Sequence, residues 1–285
     1  MTRVLMFGAI GPYAAAFSRA LAPHTELVAC VVRRRIESAF DVWFRHRIAR
    51  FDEPGFACPI WSVGAYADPR LYRRLAKEAI DLVIVAGFPR RLPHALVAGV
   101  ARLGAVNLHP ALLPNDRGPC PVFWVFRRGD GECGVTLHQL SAELDQGDVL
   151  MSAKIEVPFG VTGAALSERL GALGGELVRA NLRRLLDEPW HLVPQGETNQ
   201  WARKPKPEDL EVVASEWTAA RLFHFVRGAR AYGTPWAKLA DDLYYFADAS
   251  AYEPGRRIPG EFVLLGDNLI LRVKDGTVTL RLVRL

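Results

Sequence analysis

The stretches DLVIVAGF (Asp81–Phe88) and GAVNLH (Gly104–His109) decide the fold of this 285-residue chain. Each is a short apolar run that ends in a glycine-containing or polar segment, a pattern typical of a buried strand in a parallel sheet. Three earlier runs share this character: RVLMFG (Arg3–Gly8), ELVACVV (Glu26–Val32) and CPIWSV (Cys58–Val63). Helical stretches separate some of them, one extending to about Leu21 and one opening at Asp68 and Pro69, an N-cap residue followed by proline. This alternation predicts an α/β domain with a mostly parallel, Rossmann-like sheet.

The rest of the chain predicts a second, smaller domain. CGVTLHQL and DVLMSAKIEV (residues 133–140 and 148–157) alternate as strands do, and residues 161–188 form one long amphipathic helical pattern. The polar, proline-containing segment 195–212 then predicts a linker. Beyond it come one helix (215–232) and several strand patterns with turns at GDN and KDG. We therefore expect a catalytic domain over residues 1–200 and a β-rich, OB-like barrel domain over 206–285.

Composition narrows the class of protein. Half of the residues are hydrophobic, 24% are charged, and the net charge of +5 favours anionic partners only weakly. No apolar run reaches the length of about 18 residues that a membrane span needs, and the N-terminal run is broken by Gly8, Gly11 and Pro12, which disfavours a signal peptide. We expect a cytoplasmic protein with no membrane partner. The cysteines form no CxxC pair, so buried thiols and no metal site are expected at Cys30, Cys58, Cys120 and Cys133.

Three polar residues point to chemistry at one edge of the predicted sheet. Asn107 and His109 are two positions apart at the carboxyl end of a strand, so their side chains face the same side. Asp145 lies in a turn between two later strand patterns, and a returning hairpin would bring it to the same edge. An amide can hold a developing oxyanion, a histidine can act as an acid, a base or a cationic donor, and a carboxylate favours the imidazolium form and can relay protons through water. Cys120 leaves a covalent route open.

These motifs together resemble the folate-dependent formyltransferase family. The resemblance rests on NLHPALLP followed by RG, on GVTLH, on ELDQGDVL and on DLVIVAGFPRRLP. It continues through WARKPKPEDLEV and FVRGARAYGTPWAKL, which are similar to the linker and C-terminal domain of the methionyl-tRNA formyltransferase branch. The resemblance implies that Asn107 and His109 stabilise the oxyanion formed when an amine attacks the formyl carbon of 10-formyltetrahydrofolate. It implies that Asp145 positions His109 and relays protons, and that no metal is needed.

The resemblance also implies a folate pocket and an amine acceptor. The pocket would be formed largely by backbone groups and apolar side chains of two segments: Ala86, Gly87, Phe88, Pro89, Arg90, Arg91 and Leu92, then Gln139, Leu140, Ser141, Ala142, Glu143 and Leu144. The acceptor implied by the resemblance would be a small amine, an amino sugar or initiator methionyl-tRNA. Two alternatives stay open: a hydrolase that uses water as the acceptor, and a folate-binding module without catalysis.

Some positions depart from the family pattern. Ala111 stands where the family usually has serine, and FGAIGPYAAAF after the first strand lacks the phosphate loop of the glycinamide ribonucleotide enzymes. His138 is predicted to be structural. Six arginines predict an exposed helix or loop face: Arg33, Arg34, Arg35, Arg45, Arg47 and Arg50. Resemblance to the tRNA branch of the family implies instead that this basic stretch approaches the acceptor stem of tRNA. Phe40, Trp43 and Phe44 in the same stretch favour a buried face instead, and slightly favour a small acceptor.

Overall fold

A computed structural model describes residues 1–33 and 48–283 and divides the chain into two compact units. The first unit comprises residues 1–119, 134–155 and 167–201, and the second comprises residues 120–133, 156–166 and 202–285. Two internal segments thus group with the C-terminal part, because their side chains complete its core. The division at residues 200 and 206 stays a prediction.

An eight-stranded sheet forms the centre of the first unit, in the order β3-β4-β2-β1-β5-β6-β7-β8. The strands are β1 (Arg3–Gly8), β2 (Glu26–Arg33), β3 (Ile48–Phe51), β4 (Ile60–Val63), β5 (Leu82–Ala86), β6 (Ala105–His109), β7 (Glu132–Gln139) and β8 (Val149–Glu156). Pairs β2–β4, β1–β2, β1–β5 and β5–β6 are parallel, whereas β3–β4 and β6–β7 are antiparallel. The predicted mostly parallel, Rossmann-like sheet is confirmed.

The helices of residues 1–201 include two whose starts the sequence indicated, at Pro69 and at Pro121. They are α1 (Pro12–Leu21), α2 (Pro69–Leu75), α3 (His94–Ala98), α4 (Pro121–Arg128), α5 (Gly163–Ala180) and α6 (Leu182–Asp187). Asp68 caps α2 as predicted, since its carboxylate accepts from the backbone N–H of Arg70 at 2.9 Å. The single helix expected over 161–188 is wrong: it breaks at Asn181, whose side-chain amide donates to the Leu177 carbonyl at 2.9 Å.

The core of the first unit lies on both faces of its central strands. Every residue of β5 and nearly every residue of β1 is buried, which explains their unbroken apolar sequences. On one face, the Phe7 ring lies 5.9 Å from the Phe88 ring and 6.3 Å from the Tyr72 ring. This packing fixes the carboxyl end of β5, where the chain turns toward the predicted folate segment.

The second unit contains a five-stranded antiparallel sheet in the order β11-β12-β13-β10-β9, curled into a half-barrel. Its strands are β9 (Trp236–Leu239), β10 (Asp242–Pro254), β11 (Phe262–Leu265), β12 (Asn268–Val273) and β13 (Gly276–Leu282), and helix α7 (Ala219–Ala229) packs against β10. The bend comes from β10, which pairs with β9 through its first residues and with β13 through the rest. The β-rich, barrel-like expectation is confirmed.

The predicted arginine face is described only at its two ends. Arg33 ends β2, and Arg50 lies in β3, where its guanidinium carbon is 4.5 Å from the centre of the Trp61 ring. A helix or loop at Arg50 was therefore wrong, because β3 adds an antiparallel edge strand that has too few residues to show a clear period in the sequence. The other residues of that expectation lie outside the described residues: Arg34, Arg35, Phe40, Trp43, Phe44, Arg45 and Arg47.

None of the helices within residues 1–33 and 48–283 has the length and apolar character needed to cross a bilayer.

Candidate active site

Strand β6 positions two of the three predicted catalytic residues. Asn107 and His109 project from the same side of β6, and Asn107 is flanked by Val85 of β5 and His138 of β7. His109 is 4% exposed and Asn107 is half-buried. Because β6 is the last parallel strand before the antiparallel β7, both side chains sit where the direction of the sheet changes, an edge at which α/β sheets bind ligands.

Asp145 completes the cluster from the turn between β7 and β8. Its Oδ1 accepts from Asn107 Nδ2 at 3.1 Å, and its Oδ2 accepts from the Gly118 backbone N–H at 2.9 Å. The same Oδ2 lies 3.6 Å from His109 Nδ1, and both side chains are 5% exposed. The structure therefore brings Asn107, His109 and Asp145 together, and we refer to them as the trio.

The ring of His109 is held from both sides. Its Nε2 lies 2.8 Å from the backbone carbonyl of Asp116, which can only accept, so Nε2 carries a hydrogen. Its Nδ1 faces the Asp145 carboxylate, as described above. An imidazolium donates to both oxygens, whereas a neutral ring with its hydrogen on Nε2 leaves a lone pair facing a carboxylate. The geometry thus places Nδ1 of His109 where a hydrogen on it points to the Asp145 carboxylate.

His138 adds a fourth polar side chain to the cluster, although the sequence pattern indicated a structural residue. Its Nδ1 lies 2.9 Å from the Gln139 carbonyl and its Nε2 lies 2.9 Å from Asn107 Nδ2. Burial lowers the pKa of His138 to about 4, aided by the charges of His109 and Arg117 and opposed by Asp145. A neutral His138 therefore donates from Nδ1 and accepts at Nε2. The signal for it was its position opposite Asn107, which only the β6–β7 register reveals.

Both hydrogens of the Asn107 amide are directed within the cluster. One points to His138 Nε2 and the other to Asp145 Oδ1, so the opposite assignment of the amide would place oxygen against oxygen. The remaining group, Oδ1, accepts from none of the described residues. In this arrangement Asn107 holds Asp145 in place. To donate to a developing oxyanion as well, Asn107 must share one of its two amide hydrogens.

Neighbouring residues fix the end of β6. The Tyr13 hydroxyl donates to the Leu108 carbonyl at 3.0 Å, and burial, followed by the charge of Asp145, raises the pKa of Tyr13. The Thr136 hydroxyl donates to the Ala111 carbonyl at 2.7 Å and accepts from the Leu113 N–H at 3.1 Å. The loop after His109 is therefore held by Thr136, although Ala111 itself lacks the hydroxyl that is usual in the family.

The two predicted folate segments lie next to each other. Arg91 pairs with Glu143 at 3.3 Å, and Phe88 and Leu140 pack against the same hydrophobic cluster. Other members differ in exposure: Ala86 and Leu92 are buried, Ser141 is half-buried, and Gly87, Pro89, Arg90, Gln139, Ala142, Glu143 and Leu144 are exposed. Ala86 is 0% exposed and Leu92 is 6% exposed, backbone included, so the exposed members of the two segments are the ones that a ligand could reach.

Two further expectations concern metals and thiols. Within residues 1–33 and 48–283, no cluster of three His, Cys, Asp or Glu side chains could hold a metal ion. Cys30, Cys58 and Cys133 are buried free thiols, and Cys120 is half-buried. Burial raises the pKa of Cys120, although Lys204 opposes the shift, so its thiol is a weak nucleophile at neutral pH.

Comparison with known proteins identifies similar chains. A family model described as formyl transferase matches residues 41–181. Methionyl-tRNA formyltransferase of Bacteroides fragilis is 30% identical over 222 residues, which cover 74% of this chain and 68% of that protein. For another methionyl-tRNA formyltransferase, 33% identical, the aligned region spans 58% of its length.

Solved structures share the fold at lower identity. HypX from Aquifex aeolicus in complex with tetrahydrofolic acid superposes with a TM-score of 0.68 at 20% identity, covering 98% of this chain and 43% of that one. The N-formyltransferase from Helicobacter canadensis, in complex with folinic acid and dTDP-3-aminofucose, gives a TM-score of 0.62 at 13% identity, with 99% of each chain covered. At these identities the likeness concerns the fold alone.

Proposed function

This chain belongs to the folate-dependent formyltransferase family, and we propose that it transfers the formyl group of 10-formyltetrahydrofolate to a primary amine. The observation that carries the proposal is the convergence of Asn107, His109 and Asp145 in one buried cluster beside the two predicted folate segments. We assign the catalytic roles to the trio and the donor site to residues 86–92 and 139–144.

The chemistry follows from the groups that the trio presents. Bound 10-formyltetrahydrofolate supplies an activated formyl carbon; the new bond joins that carbon to the amine nitrogen, and the bond to the folate nitrogen breaks. His109 shares its Nε2 hydrogen, which the Asp116 carbonyl also accepts, with the formyl oxygen as negative charge develops there, and Asn107 likewise shares an amide hydrogen with it. Asp145 orients His109 through Nδ1, and it accepts the amine proton through water for delivery to the folate nitrogen.

The acceptor is the finer part of the proposal. Methionyl-tRNA formyltransferase is the name of the sequence relatives, and the Helicobacter canadensis structure contains an amino sugar nucleotide. We propose that this chain is methionyl-tRNA formyltransferase-like in architecture and uses a small amine or an amino sugar. The support is the aromatic content of residues 40–44 and the absence of a match to the basic loop of the tRNA enzymes.

An acceptor screen tests the proposal. The protein is incubated with 10-formyltetrahydrofolate and, separately, charged initiator methionyl-tRNA, amino sugar nucleotides and simple amines, while formylated product and free formate are both measured. Formylation that depends on a small amine supports the proposal. Formylation of methionyl-tRNA alone, with a steep loss of turnover on adding salt, refutes the small acceptor, because phosphate contacts are salt-sensitive.

Formate release without an amine would identify a hydrolase, and tight folate binding with neither product would identify a binding module. The matched control is Asp145→Asn, which preserves the size of the side chain and should abolish most product in every arm.

A further inference from the structure

Arg117 and Gln195 form a connected pair next to the trio that the proposed chemistry does not use. Arg117 is 7% exposed. Its Nε and Nη2 donate to Gln195 Oε1 at 3.0 and 2.8 Å, and Nη2 also donates to the Gly196 carbonyl at 2.9 Å. Within residues 1–33 and 48–283, no carboxylate pairs with this guanidinium. Burying a cation among neutral partners costs desolvation free energy. The directional hydrogen bonds of Arg117 therefore indicate that it holds its neighbours in place.

Gln195 connects Arg117 to the turn that carries Asp145. Its Nε2 donates to the Asp145 carbonyl at 3.0 Å and to the Gly147 carbonyl at 2.6 Å. One side-chain amide thus spans the turn, with both of its hydrogens on the turn and its oxygen on Arg117. The sequence indicated that Gln195 begins a linker, whereas the structure places it against the most constrained turn of the site.

The turn itself is strained and tightly packed. Asp145 adopts φ of 55°, the left-handed region that a residue with a side chain avoids. A Cβ at Gly147 would lie 1.8 Å from the Gln139 carbonyl oxygen, so only glycine fits there. Strain of this kind persists only when surrounding contacts hold it, and the two hydrogen bonds from Gln195 are such contacts.

The backbone around Arg117 touches the trio on both sides. The carbonyl of Asp116 accepts from His109, and the N–H of Gly118 donates to the carboxylate of Asp145. Asp116 therefore orients His109, Arg117 orients the turn through Gln195, and Gly118 orients the Asp145 carboxylate. A shift of Arg117 alters the distance between His109 and Asp145.

We infer that Arg117 and Gln195 are positioning residues that hold the Asp145 turn at the distance from His109 that formyl transfer requires. The inference rests on the proposed function for its catalytic consequence. Both residues act through the turn and the backbone around the trio, so their loss should lower kcat rather than weaken folate binding. Misplacement by about 1 Å is enough to lower a rate by about 100-fold.

Gln195→Glu separates a positioning role from a general structural one. The glutamate has the same shape and forms an ion pair with Arg117, so folding should be preserved. It has no hydrogens to donate to the carbonyls of Asp145 and Gly147 and repels them instead. We expect kcat to fall about 10- to 100-fold, with the Kd for tetrahydrofolate changed less than about threefold. Unchanged kcat in this variant would overturn the inference.

Arg117 is tested in a double-mutant cycle. Arg117→Gln and Gln195→Ala should together lower kcat by clearly less than the product of their separate effects, because the two side chains act through one contact. Arg117→Lys should not restore the rate, since an ammonium group lacks the planar fork that bridges Gln195. Arg227→Gln is the matched control: Arg227 also donates to two backbone carbonyls, those of Gly160 and Ala249, in the other unit. A multiplicative cycle would overturn the pairing.

Hydrogen exchange tests the positioning role without a measurement of formyl transfer. The Gln139 N–H donates to the Asp148 carbonyl across the base of the turn at 2.9 Å, so its exchange reports whether the turn opens. Gln195→Glu should speed exchange in a peptide that begins several residues before Gln139 and extends to Asp148, and Arg227→Gln should not. Absence of formyl transfer in the wild-type protein would refute the proposed function alone, whereas unaltered exchange in Gln195→Glu would refute the positioning role of Gln195.

Discussion

Replacing Asp145 with asparagine removes one charge from the trio and almost no volume. The Asp145 carboxylate accepts at both oxygens, from Asn107 and from the Gly118 N–H. An asparagine supplies only one acceptor oxygen there, so its amide hydrogens must oppose either the Asn107 amide or the backbone N–H. The side chain of His109, 3.6 Å away, also loses the negative charge that faces its Nδ1.

The size of the effect follows from this geometry. At 3.6 Å and an effective dielectric constant of about 20, two unit charges interact with about 4 to 5 kcal/mol, which corresponds to about three orders of magnitude in rate. His109 keeps its contact with the Asp116 carbonyl, so part of its orientation survives. We therefore expect turnover in Asp145→Asn to fall by about 100- to 1000-fold.

The assay is steady-state formyl transfer measured across pH, together with tetrahydrofolate titration. Folate binding should be nearly unchanged, because the folate segments pack through Phe88 and Leu140 rather than through Asp145. The pH dependence of kcat should change, since proton handling by the His109–Asp145 pair is lost. A variant with a wild-type pH profile, or with turnover within about threefold of wild type, would refute the relay role.

Three further outcomes are expected. Asn107→Ala and His109→Ala should each lower turnover by about 100-fold or more while retaining folate binding, and near-normal turnover in either would remove that residue from the mechanism. Gly147→Ala should unfold the turn, because its Cβ would lie 1.8 Å from the Gln139 carbonyl oxygen; a folded variant with full activity and an unchanged melting temperature would contradict this. The pKa of His138 is about 4 in the folded protein and 6.5 in the unfolded chain, so the unfolded chain binds more protons between these two pH values. The free energy of unfolding therefore falls as the pH drops through that range. Urea denaturation measures the loss of unfolding free energy between about pH 7 and about pH 5. This loss should be about 2 kcal/mol smaller in His138→Gln than in wild type, and equal losses would refute the assigned pKa shift.

The sequence predicted the parts of the fold that short, local patterns determine. Strands β1, β5 and β6 are buried on both sides, so their apolar runs are unbroken and easily recognised. Strand β3 was missed because only four residues pair at the edge of the sheet. The break at Asn181 was missed because asparagine is tolerated within helices, and only its backbone angles, φ −114° and ψ 11°, show that the helix is interrupted there.

The trio could be predicted because strand alternation and a returning hairpin are enough to bring Asn107, His109 and Asp145 together. The residues that hold the trio were beyond such reasoning. Gln195 lies in a polar stretch typical of a linker, and its two bonds to the Asp145 turn depend on where the chain returns after helix α6. Local polarity indicates exposure to solvent, and it gives no sign that a distant carbonyl will be the partner.

The register between β6 and β7 places His138 opposite Asn107 and so determines which atoms of the two side chains face each other. Because Nδ1 of His138 donates to the Gln139 carbonyl, its Nε2 must accept, and the only hydrogens facing it in the described structure are those of the Asn107 amide. This fixes Nδ2 of Asn107 toward His138 and Asp145 and turns Oδ1 away. Protonation of His138 at a pH near 4 would replace the acceptor with a donor and reverse the preferred orientation of the amide. The hydrogens of Asn107 are therefore directed toward Asp145 only while His138 is neutral, and burial keeps His138 neutral at every pH well above about 4 because it lowers the pKa of this side chain.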